Sequence, residues 1–369
     1  MRKILFIGLA HRSDDPRLFH REIKVIKETN SCDIYWLTNR EDETYENASY
    51  IDKYIKLKKS NNLIVRIIKN IFNILKTVHE LKPDVIQFSD IRELIFLFPI
   101  KFFFGAKVRI IYDAHEDYFE QILVFDRNKV KAYILKYVEL LSFYFIDTVF
   151  CTDDYLLEYY KKYHPKVYLM RNYPLIPKGN IIKEYWQNDN LLKLVYIGTM
   201  NPYKGVGNII DFTNRFNNEK NDFKLELNFY TNLKEVNNDL LSSNEFIKYN
   251  DYIPLNKLYD KLKQYQVGVC IWKNIKKLER NLPIKNFDYM AVGLPVLTSN
   301  FGNLKKYIDL SKSGVCISPE DYLDFKNAVI TLNDKNKRVE LGNNAYNFFS
   351  EGKDFRLESD NYLDVILNF

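Results

Sequence analysis

Short apolar segments alternate with longer amphipathic ones along the whole 369-residue chain, and this alternation restricts the fold more than any other feature. Strands that alternate with helices predict parallel sheets covered by helices, which defines the α/β class. The predicted strands are 3–8, 33–37, 84–88, 107–112, 147–151, 166–170, 193–198, 224–229, 267–271, 295–298 and 314–317. The predicted helices are 15–29, 62–81, 92–103, 130–146, 153–162, 206–217, 255–264, 284–292, 320–333 and 335–348.

The alternation is interrupted once, by a polar stretch after Pro174 and Pro177. A chain of this length is too long for one core and suits two domains. The sequence therefore predicts a doubly wound domain over 1–172, a linker over 173–190 and a second doubly wound domain over 191–350. Ligands of such sheets bind beyond the carboxyl ends of the strands. We therefore expect a cleft between the domains, with its polar side chains directly after strands.

The net charge of +6 is unevenly distributed, because basic residues are concentrated in 51–80. A local patch of this kind suits phosphate groups or an anionic membrane surface. It is too small to indicate nucleic-acid binding. A solvated helix face is the alternative. Against Asp52 and Glu80 stand seven basic residues, Lys53, Lys56, Lys58, Lys59, Arg66, Lys69 and Lys76.

The sequence predicts a cytoplasmic protein. Its four cysteines are far apart and form no CxxC pair, so neither a zinc site nor a disulfide framework is expected. The first residues lead directly into a strand pattern, without the pattern of a signal peptide. The most apolar stretch, 94–104, is interrupted by Pro99 and Lys101 and is too short to span a bilayer.

Polar residues follow the strands of the first predicted domain. Gly8 ends the first strand and allows a backbone to approach a ligand closely. His11 and Asp15 lie in the loop that follows, where Asp15 is also suited to cap a helix. Asp90 follows the strand at 84–88.

His115 follows the next strand and is flanked by acids, among them Glu116. Buried carboxylates need partners, so catalysis or ligand binding explains this cluster better than a place in the core. A metal site is the alternative, although no second histidine or cysteine lies close in sequence.

The second predicted domain begins with a strand that runs into Gly198 and Thr199, followed by Lys204 and Gly205 at the start of a helix. A lysine and backbone amides at a helix N-terminus form an anion site. The loop therefore predicts a binding site for a diphosphate.

Lys285 and Asp288 lie three residues apart on the predicted helix 284–292, and so on one face of it. A cation and a carboxylate on one face suit a ligand with phosphate and sugar hydroxyls. A surface ion pair is the alternative, since such pairs are common and weak. Combined with Lys204, however, they predict one pocket for a nucleotide.

Six segments in this order resemble the retaining glycosyltransferases of the GT4 type. These enzymes have the GT-B fold, two tandem Rossmann-like domains with a cleft between them. The resemblance implies transfer of a sugar from a UDP- or GDP-linked donor to an acceptor hydroxyl, with retention of anomeric configuration. It also implies that residues 351–369 form a helix that packs back on the first domain. The segments are 15–22, 84–90, 112–118, 171–174, 198–205 and 283–295.

The resemblance implies roles for matching residues. His115 would contact the transferred sugar, Lys204 the donor diphosphate and Asp288 the ribose, which makes these three the catalytic candidates. The implied donor-binding residues are Gly8, Gly198, Thr199, Lys204, Gly205, Lys285 and Asp288. The candidates for acceptor or sugar contacts are His11, Asp15, Asp90, Glu116 and Arg280.

The sequence departs from this family's pattern at three positions, one of which is Asp288, where the family usually has a glutamate. Thr199 stands where many relatives have an arginine, and Arg280 stands where they have the first acid of a glutamate pair. We hypothesise that Arg280 replaces the missing phosphate contact. The pairs Asp14-Asp15 and Asp153-Asp154 lack the spacing of a metal-binding DxD motif and are interpreted as helix caps. The reaction is therefore expected to need neither a metal ion nor a cofactor.

The expected acceptor is a lipid-linked glycan of a capsule or O-antigen. The basic, apolar stretch 51–77 and Phe102 to Phe104 predict peripheral contact with an anionic membrane, at the inner face of the cell membrane. A place in the core is the alternative for these residues. Two other functions share the expected architecture, a nucleotide-sugar epimerase and a non-catalytic partner subunit that binds a sugar nucleotide.

Overall fold

The computed structural model describes residues 1–9, 11, 15–38, 50–57, 61–105, 108–175, 190–233 and 245–368. The chain divides into two compact units, one of Met1–Leu175 with Phe355–Phe369 and the other of Ile176–Asp354. Most of the predicted linker, 173–190, lies outside the described residues. The cleft expected between the domains stays a prediction.

Parallel strands form one seven-stranded sheet in the described part of the first unit. The strands are β1 Arg2–Ile7, β2 Cys32–Thr38, β3 Lys53–Lys56, β4 Val85–Phe88, β5 Arg109–Ala114, β6 Thr148–Cys151 and β7 Val167–Leu169. Their order is β3-β2-β1-β4-β5-β6-β7. The central strands are buried along their whole length, as expected for a parallel sheet with helices on both faces.

Capped helices connect these strands. Asn62 begins the longest of them by accepting from the backbone N–H groups of Ile64 and Val65. Within the described residues, no helix is both long enough and apolar enough to cross a bilayer. The helices are α1 Lys24–Glu28, α2 Leu63–Leu81, α3 Leu97–Phe104, α4 Tyr118–Gln121, α5 Lys129–Ser142 and α6 Asp154–Tyr160.

The predicted helix 15–29 is wrong at its start, because a π-helical turn over Leu18–Ile23 precedes α1. The N–H of Glu22 bonds to the carbonyl of Arg17, 3.0 Å away and five residues earlier. Five residues of α-helix turn the chain through about 500°, which would point these two side chains apart. The wider π turn brings them to nearly the same face.

The second unit contains a six-stranded parallel sheet within its described residues. The strands are β8 Leu191–Ile197, β9 Lys224–Tyr230, β10 Ile247–Asn250, β11 Val267–Cys270, β12 Val296–Ser299 and β13 Gly314–Ile317, in the order β10-β9-β8-β11-β12-β13. The helices are α7 Val206–Asn218, α8 Leu255–Leu262, α9 Ile284–Ala291, α10 Gly302–Ser311, α11 Tyr322–Asn333 and α12 Lys335–Ser350.

Four elements were not predicted from the sequence, namely β3, α4, β10 and α10. β3 and β10 are four-residue edge strands, and their partly exposed side chains give no continuous apolar run. α10 lies between β12 and β13, which pair in parallel. Parallel neighbours need a crossover connection, usually a helix, so the two predicted strands already required an element there.

The C-terminal residues form α13 Phe355–Glu358 and α14 Asp360–Leu367. Phe355, Tyr362 and Ile366 are fully buried in the same core cluster as Ile4 and Phe6 of β1. The end of the chain is therefore part of the core of the first unit.

Candidate functional site

The carboxyl ends of the parallel strands bring several predicted residues together in the first unit. We call this group of His11, Asp15, Asp90, Asp113 and His115 the first edge. The rings of His11 and His115 meet edge to face, with centroids 5.1 Å apart. Residues from the ends of β1 and β5, about 100 positions apart in sequence, thus share one site.

Asp15 holds His11. Its Oδ2 lies 3.0 Å from His11 Nδ1, and its Oδ1 accepts from the backbone N–H groups of Arg17 and Leu18, both at 2.9 Å. Burial favours the neutral form of His11, but the hydrogen bond to Asp15 and nearby carboxylates outweigh it and raise the pKa to about 9. The ring is therefore protonated at pH 7. Its buried Nε2 meets no hydrogen-bond partner among the described residues.

Asp113, fully buried at the end of β5, holds His115. His115 Nε2 lies 2.5 Å from Asp113 Oδ2. Arg17 binds the same carboxylate twice, through Nε at 2.8 Å and Nη2 at 2.6 Å. Burial would raise the pKa of Asp113, yet Arg17 and His115 lower it well below its usual range. Asp113 is therefore ionised, and His115 Nδ1 is left without a hydrogen bond to any described residue.

Glu22 completes this buried group. A carboxylate oxygen of Glu22, one of Asp113 and a ring nitrogen of His115 lie within 4.8 Å of one another, which resembles a metal-ligand set. However, Arg17 Nε lies 2.8 Å from both carboxylates and already supplies a positive charge. Burial and the charge of Asp113 raise the pKa of Glu22 well above its ordinary value. The group is therefore better explained as an ion-paired cluster with one proton on Glu22.

Three further residues of the first unit were also predicted from the sequence, and one of them, Asp90, belongs to the first edge. Asp90 is bound by the backbone and guanidinium of Arg92, with the shortest distance 2.5 Å. Glu116 is exposed. A side chain on Gly8 would come within 2.7 Å of Trp36 Nε1. Gly8 is therefore required by the packing of Trp36, whatever ligand it approaches.

The loop after β8 has the backbone of an anion site. Gly198 has φ +106° and Gly205 has φ +59°, conformations that favour glycine. Lys204 Nζ donates to Thr199 Oγ1 at 3.3 Å. We call the group of Gly198, Thr199, Lys204, Gly205 and Lys285 the second edge.

Lys285, at the start of α9, points its ammonium group at this loop. The stem of the side chain is partly exposed, whereas Nζ is buried and makes no hydrogen bond to a described residue. Lys285 Nζ lies 3.8 Å from the centre of the Tyr196 ring, and it would lie 3.0 Å from a Cβ atom added to Gly198. Burial and the charge of Lys204 lower the pKa of Lys285 well below its ordinary value. An anion bound here would remove this cost.

Asp288 and Arg280 have partners within the protein. Asp288 is almost fully buried and accepts a hydrogen bond from Tyr259 Oη of α8 at 3.2 Å. Arg280 follows a 3₁₀ turn, and its carbonyl accepts from Asn303 Nδ2 at 2.6 Å. Their contacts with ribose and phosphate stay predictions. The interpretation of Asp14 as a helix cap also stays a prediction, because Asp14 lies outside the described residues. Asp153, by contrast, caps α6 by accepting from Leu156 N at 2.8 Å.

The second unit also matches a known protein family. Residues 178–348 match the family model described as "Glycosyl transferases group 1". This segment is therefore similar to the group 1 glycosyl transferases. The matched residues include the whole second edge and most of the second unit.

Solved structures with the same fold include sucrose-phosphate synthase from Thermosynechococcus elongatus, with TM-score 0.75, 13% identity, and coverage of 99% of this chain and 98% of that one. HepE of Anabaena in complex with UDP and glucose gives TM-score 0.74 at 12% identity over 100% of both chains. WaaG, involved in lipopolysaccharide biosynthesis, gives TM-score 0.68 at 12% identity over 99% of this chain and 100% of that one. The fold is therefore GT-B. No curated protein sequence matches the chain.

Proposed function

We propose that the chain is a retaining, GT4-type glycosyltransferase that uses a UDP- or GDP-sugar. The observation that carries this proposal is the Lys285 ammonium group, buried beside Gly198 without a hydrogen-bond partner among the described residues. An unpaired buried cation is costly unless a ligand supplies the opposite charge. The diphosphate of a sugar nucleotide supplies that charge.

The second edge offers further contacts to such a donor. Lys204 and the backbone N–H groups at the start of α7 would bind the diphosphate together with Lys285. Asp288 would bind the ribose and Arg280 a phosphate. The complex of HepE with UDP and glucose supports a uridine donor by analogy, and a guanosine donor is the second choice.

The first edge suits an acceptor hydroxyl. Protonated His11 offers a donor at Nε2, while His115 offers the free nitrogen Nδ1 within the same edge-to-face pair. A hydroxyl group donates one hydrogen bond and accepts others, so it complements both rings. Ser89 Oγ, buried without a described partner, is a further contact.

In the proposed reaction the bond from the anomeric carbon to the donor phosphate breaks, and a bond to the acceptor oxygen forms on the same face. The acceptor proton passes to the leaving phosphate oxygen. Lys285 and Lys204 stabilise the negative charge that develops on the diphosphate, which is the contribution a divalent ion would otherwise make.

We propose a lipid-linked glycan of a capsule or O-antigen as the acceptor and a cytoplasmic location at the membrane surface. The WaaG likeness supports a surface glycan by analogy. The exposed sides of α2, α3 and α5 support the proposed contact with a membrane, because they carry many apolar residues. Ile74 of α2 is in the core, yet the opposite side of that helix is also apolar. The exposed apolar residues of the three helices are Ile64, Val65, Ile68, Phe72, Phe102, Phe103, Val130, Tyr133, Ile134, Tyr137 and Leu141.

The charge of these three helices fits an anionic bilayer. Seven basic residues, Arg66, Lys69, Lys76, Lys101, Lys129, Lys131 and Lys136, stand against Glu80 and the buried Glu139. Flotation with anionic vesicles should therefore carry the protein upward at low salt, and Phe72→Glu should abolish this. Leu323→Glu, at a similarly exposed position on α11, is the control. Equal flotation of both variants would contradict the membrane contact.

The function itself is tested by incubating the protein with UDP- and GDP-sugars and a lipid-linked acceptor, and by following nucleotide release and the anomeric signal of the product by NMR. We expect transfer with retention, lost in Lys285→Met and kept in Lys305→Met, an exposed lysine of α10. Donor conversion without acceptor would favour the epimerase, and binding without turnover the non-catalytic partner subunit.

A further inference from the structure

A continuous chain of buried side chains leads from the C-terminal helix to His115. Its links are Tyr362 Oη to Gln87 Oε1 at 2.6 Å, Gln87 Nε2 to Glu22 Oε2 at 2.6 Å, and Glu22 Oε1 to Arg17 Nε at 2.8 Å. Arg17 then binds Asp113, which binds His115. We call Tyr362, Gln87, Glu22, Arg17 and Asp113 the buried network.

The network has no contact with solvent. Each of its members is at most 2% exposed. Burying this many polar groups is costly unless each one is satisfied. Apolar residues at these positions would fill the same core without that cost. A purely structural role therefore does not explain why the buried network leads to a histidine of the first edge.

We propose that the buried network is a positioning device for His115. It holds Asp113 as an acceptor for His115 Nε2–H and leaves Nδ1 free to accept a hydrogen bond from a substrate hydroxyl. In a neutral histidine one ring nitrogen carries the proton and the other does not. The hydrogen bonds that the two nitrogens make decide which of them carries it. The catalytic consequence rests on the proposed function, whereas the state of the ring does not.

Tyr362 determines how the hydrogen bonds of the buried network are oriented. Its hydroxyl donates to Gln87 Oε1, so the Gln87 amide turns its NH₂ group to Glu22 Oε2. The proton of Glu22 then belongs on Oε1, the oxygen that faces Arg17 and Asp113. Without the Tyr362 hydroxyl, Gln87 can turn its carbonyl to Glu22, and the proton can move to Oε2. Glu22 would then no longer donate to Asp113, and the hydrogen bond between His115 Nε2–H and Asp113 would change in strength.

The π turn is the local feature that makes the network possible. Arg17 and Glu22 begin and end its i→i+5 hydrogen bond and therefore face the same buried space. π turns inside helices are frequent at functional sites. In a regular α-helix the side chains of Arg17 and Glu22 would point in different directions, so they could not both reach Asp113.

The test is ¹⁵N NMR of the full-length protein with labelled histidines, recorded across a pH titration. The chain has five histidines, and His115→Gln identifies the signals of His115. In the wild type we expect His115 to be protonated on Nε2 when neutral. In Tyr362→Phe we expect the ¹⁵N signals of the neutral His115 ring to move, because its hydrogen bond to Asp113 changes.

Tyr265→Phe is the matched control. Its hydroxyl is also buried in a hydrogen bond, 2.7 Å from the Tyr230 hydroxyl in the second unit, without a link to the network. It should leave the His115 signals unchanged. Asp113→Asn should shift His115 towards the Nδ1–H form, as expected when a carboxylate partner becomes an amide. If that variant does not fold, Tyr362→Phe decides, because it keeps the ring packed on Phe150.

A neutral His115 protonated on Nδ1 in the wild type would overturn the proposal, as would unchanged ¹⁵N signals of the neutral His115 ring in Tyr362→Phe. These results do not depend on turnover, so they stand if the transferase assay fails. Where transfer is observed, Tyr362→Phe should lower kcat about 3- to 10-fold at an unchanged donor KM, whereas Tyr265→Phe should not.

Discussion

The two edges arise from the same parallel-strand topology, but they treat charge in opposite ways. At the first edge His11 pairs with Asp15, and Asp113 with both Arg17 and His115. At the second edge the Lys285 ammonium group is buried beside a glycine loop without a hydrogen-bond partner among the described residues. The charges of the first edge are paired with one another and leave hydrogen-bonding positions at His11 Nε2 and His115 Nδ1, whereas we propose that the second edge binds an anion. Paired charges thus indicate positioning, and an unpaired buried charge indicates where a charged ligand binds.

The largest effect is expected from Arg17→Met at the first edge. It leaves Asp113 and Glu22 buried without their cation, which should lower the free energy of unfolding by about 3 to 5 kcal/mol. Denaturant titration measures this. Arg356→Met, which removes an exposed pair with Glu28, should cost at most about 1 kcal/mol. Equal losses in the two variants would mean that the first edge is not held by its buried charges.

The His11–Asp15 pair should make stability depend on pH. The pKa of His11 is raised from 6.5 to about 9, so the folded state binds the proton more tightly than the unfolded state. The stabilisation, up to about 3 kcal/mol, is complete below pH 6.5 and is lost as the pH rises through 9. Denaturant titrations from pH 6 to 9.5 should show this loss in the wild type and a flatter profile in His11→Gln. Parallel profiles would contradict the pairing.

Lys285→Met should stabilise the protein, whereas the variants of the first edge should destabilise it. Removing an unpaired buried cation while keeping a similar volume should raise the free energy of unfolding by about 1 to 3 kcal/mol at pH 7. The lowered pKa means that the unfolded state binds more protons at this site, so the stability of the wild type relative to that of the variant should rise with pH towards 10.5. Lys305→Met, on the surface, should change neither quantity. A destabilised Lys285→Met would show that the ammonium group has a stabilising partner.

The smallest effect on stability is expected from Gly198→Ala. The residue has φ +106°, and the new Cβ would stand 2.9 Å from Lys285 Cε, so the variant should lose about 1 to 2 kcal/mol and displace the lysine. Nucleotide affinity should fall about tenfold. Gly207→Ala is the control, because it lies in α7 with nothing within 4 Å of its Cβ. It should gain slightly in stability and keep its affinity.

Elements that are buried on both faces could be predicted from the sequence, because they require continuous apolar runs. β4 and β11 are examples. The edge strands β3 and β10 contain lysine and lie half exposed, so their pairing depends on a neighbouring strand rather than on their own pattern. The π turn at Leu18–Ile23 follows from the tertiary environment of Arg17 and Glu22, which local propensity does not contain.

The candidate site shows the same division. The spacing of Lys285 to Asp288 predicts a nucleotide contact, but the burial of the Lys285 ammonium group without a hydrogen bond to a described residue is visible only in three dimensions. Arg17 and Asp113 lie within segments that resemble the family, although nothing local showed that they pair. Tyr362 reaches Gln87 across 275 positions of sequence. Only the packing of the C-terminal helix on β1 brings it there.

The most direct test of the comparison is isothermal titration calorimetry of UDP and GDP with the wild type and Lys285→Met. We predict that one nucleotide binds the wild type and that its affinity falls at least about 100-fold in the variant, because a buried charge-assisted contact is lost. Wild-type affinity in a folded Lys285→Met would contradict the central claim that the unpaired ammonium group marks the donor site. Absence of binding of either nucleotide to the wild type would contradict it equally.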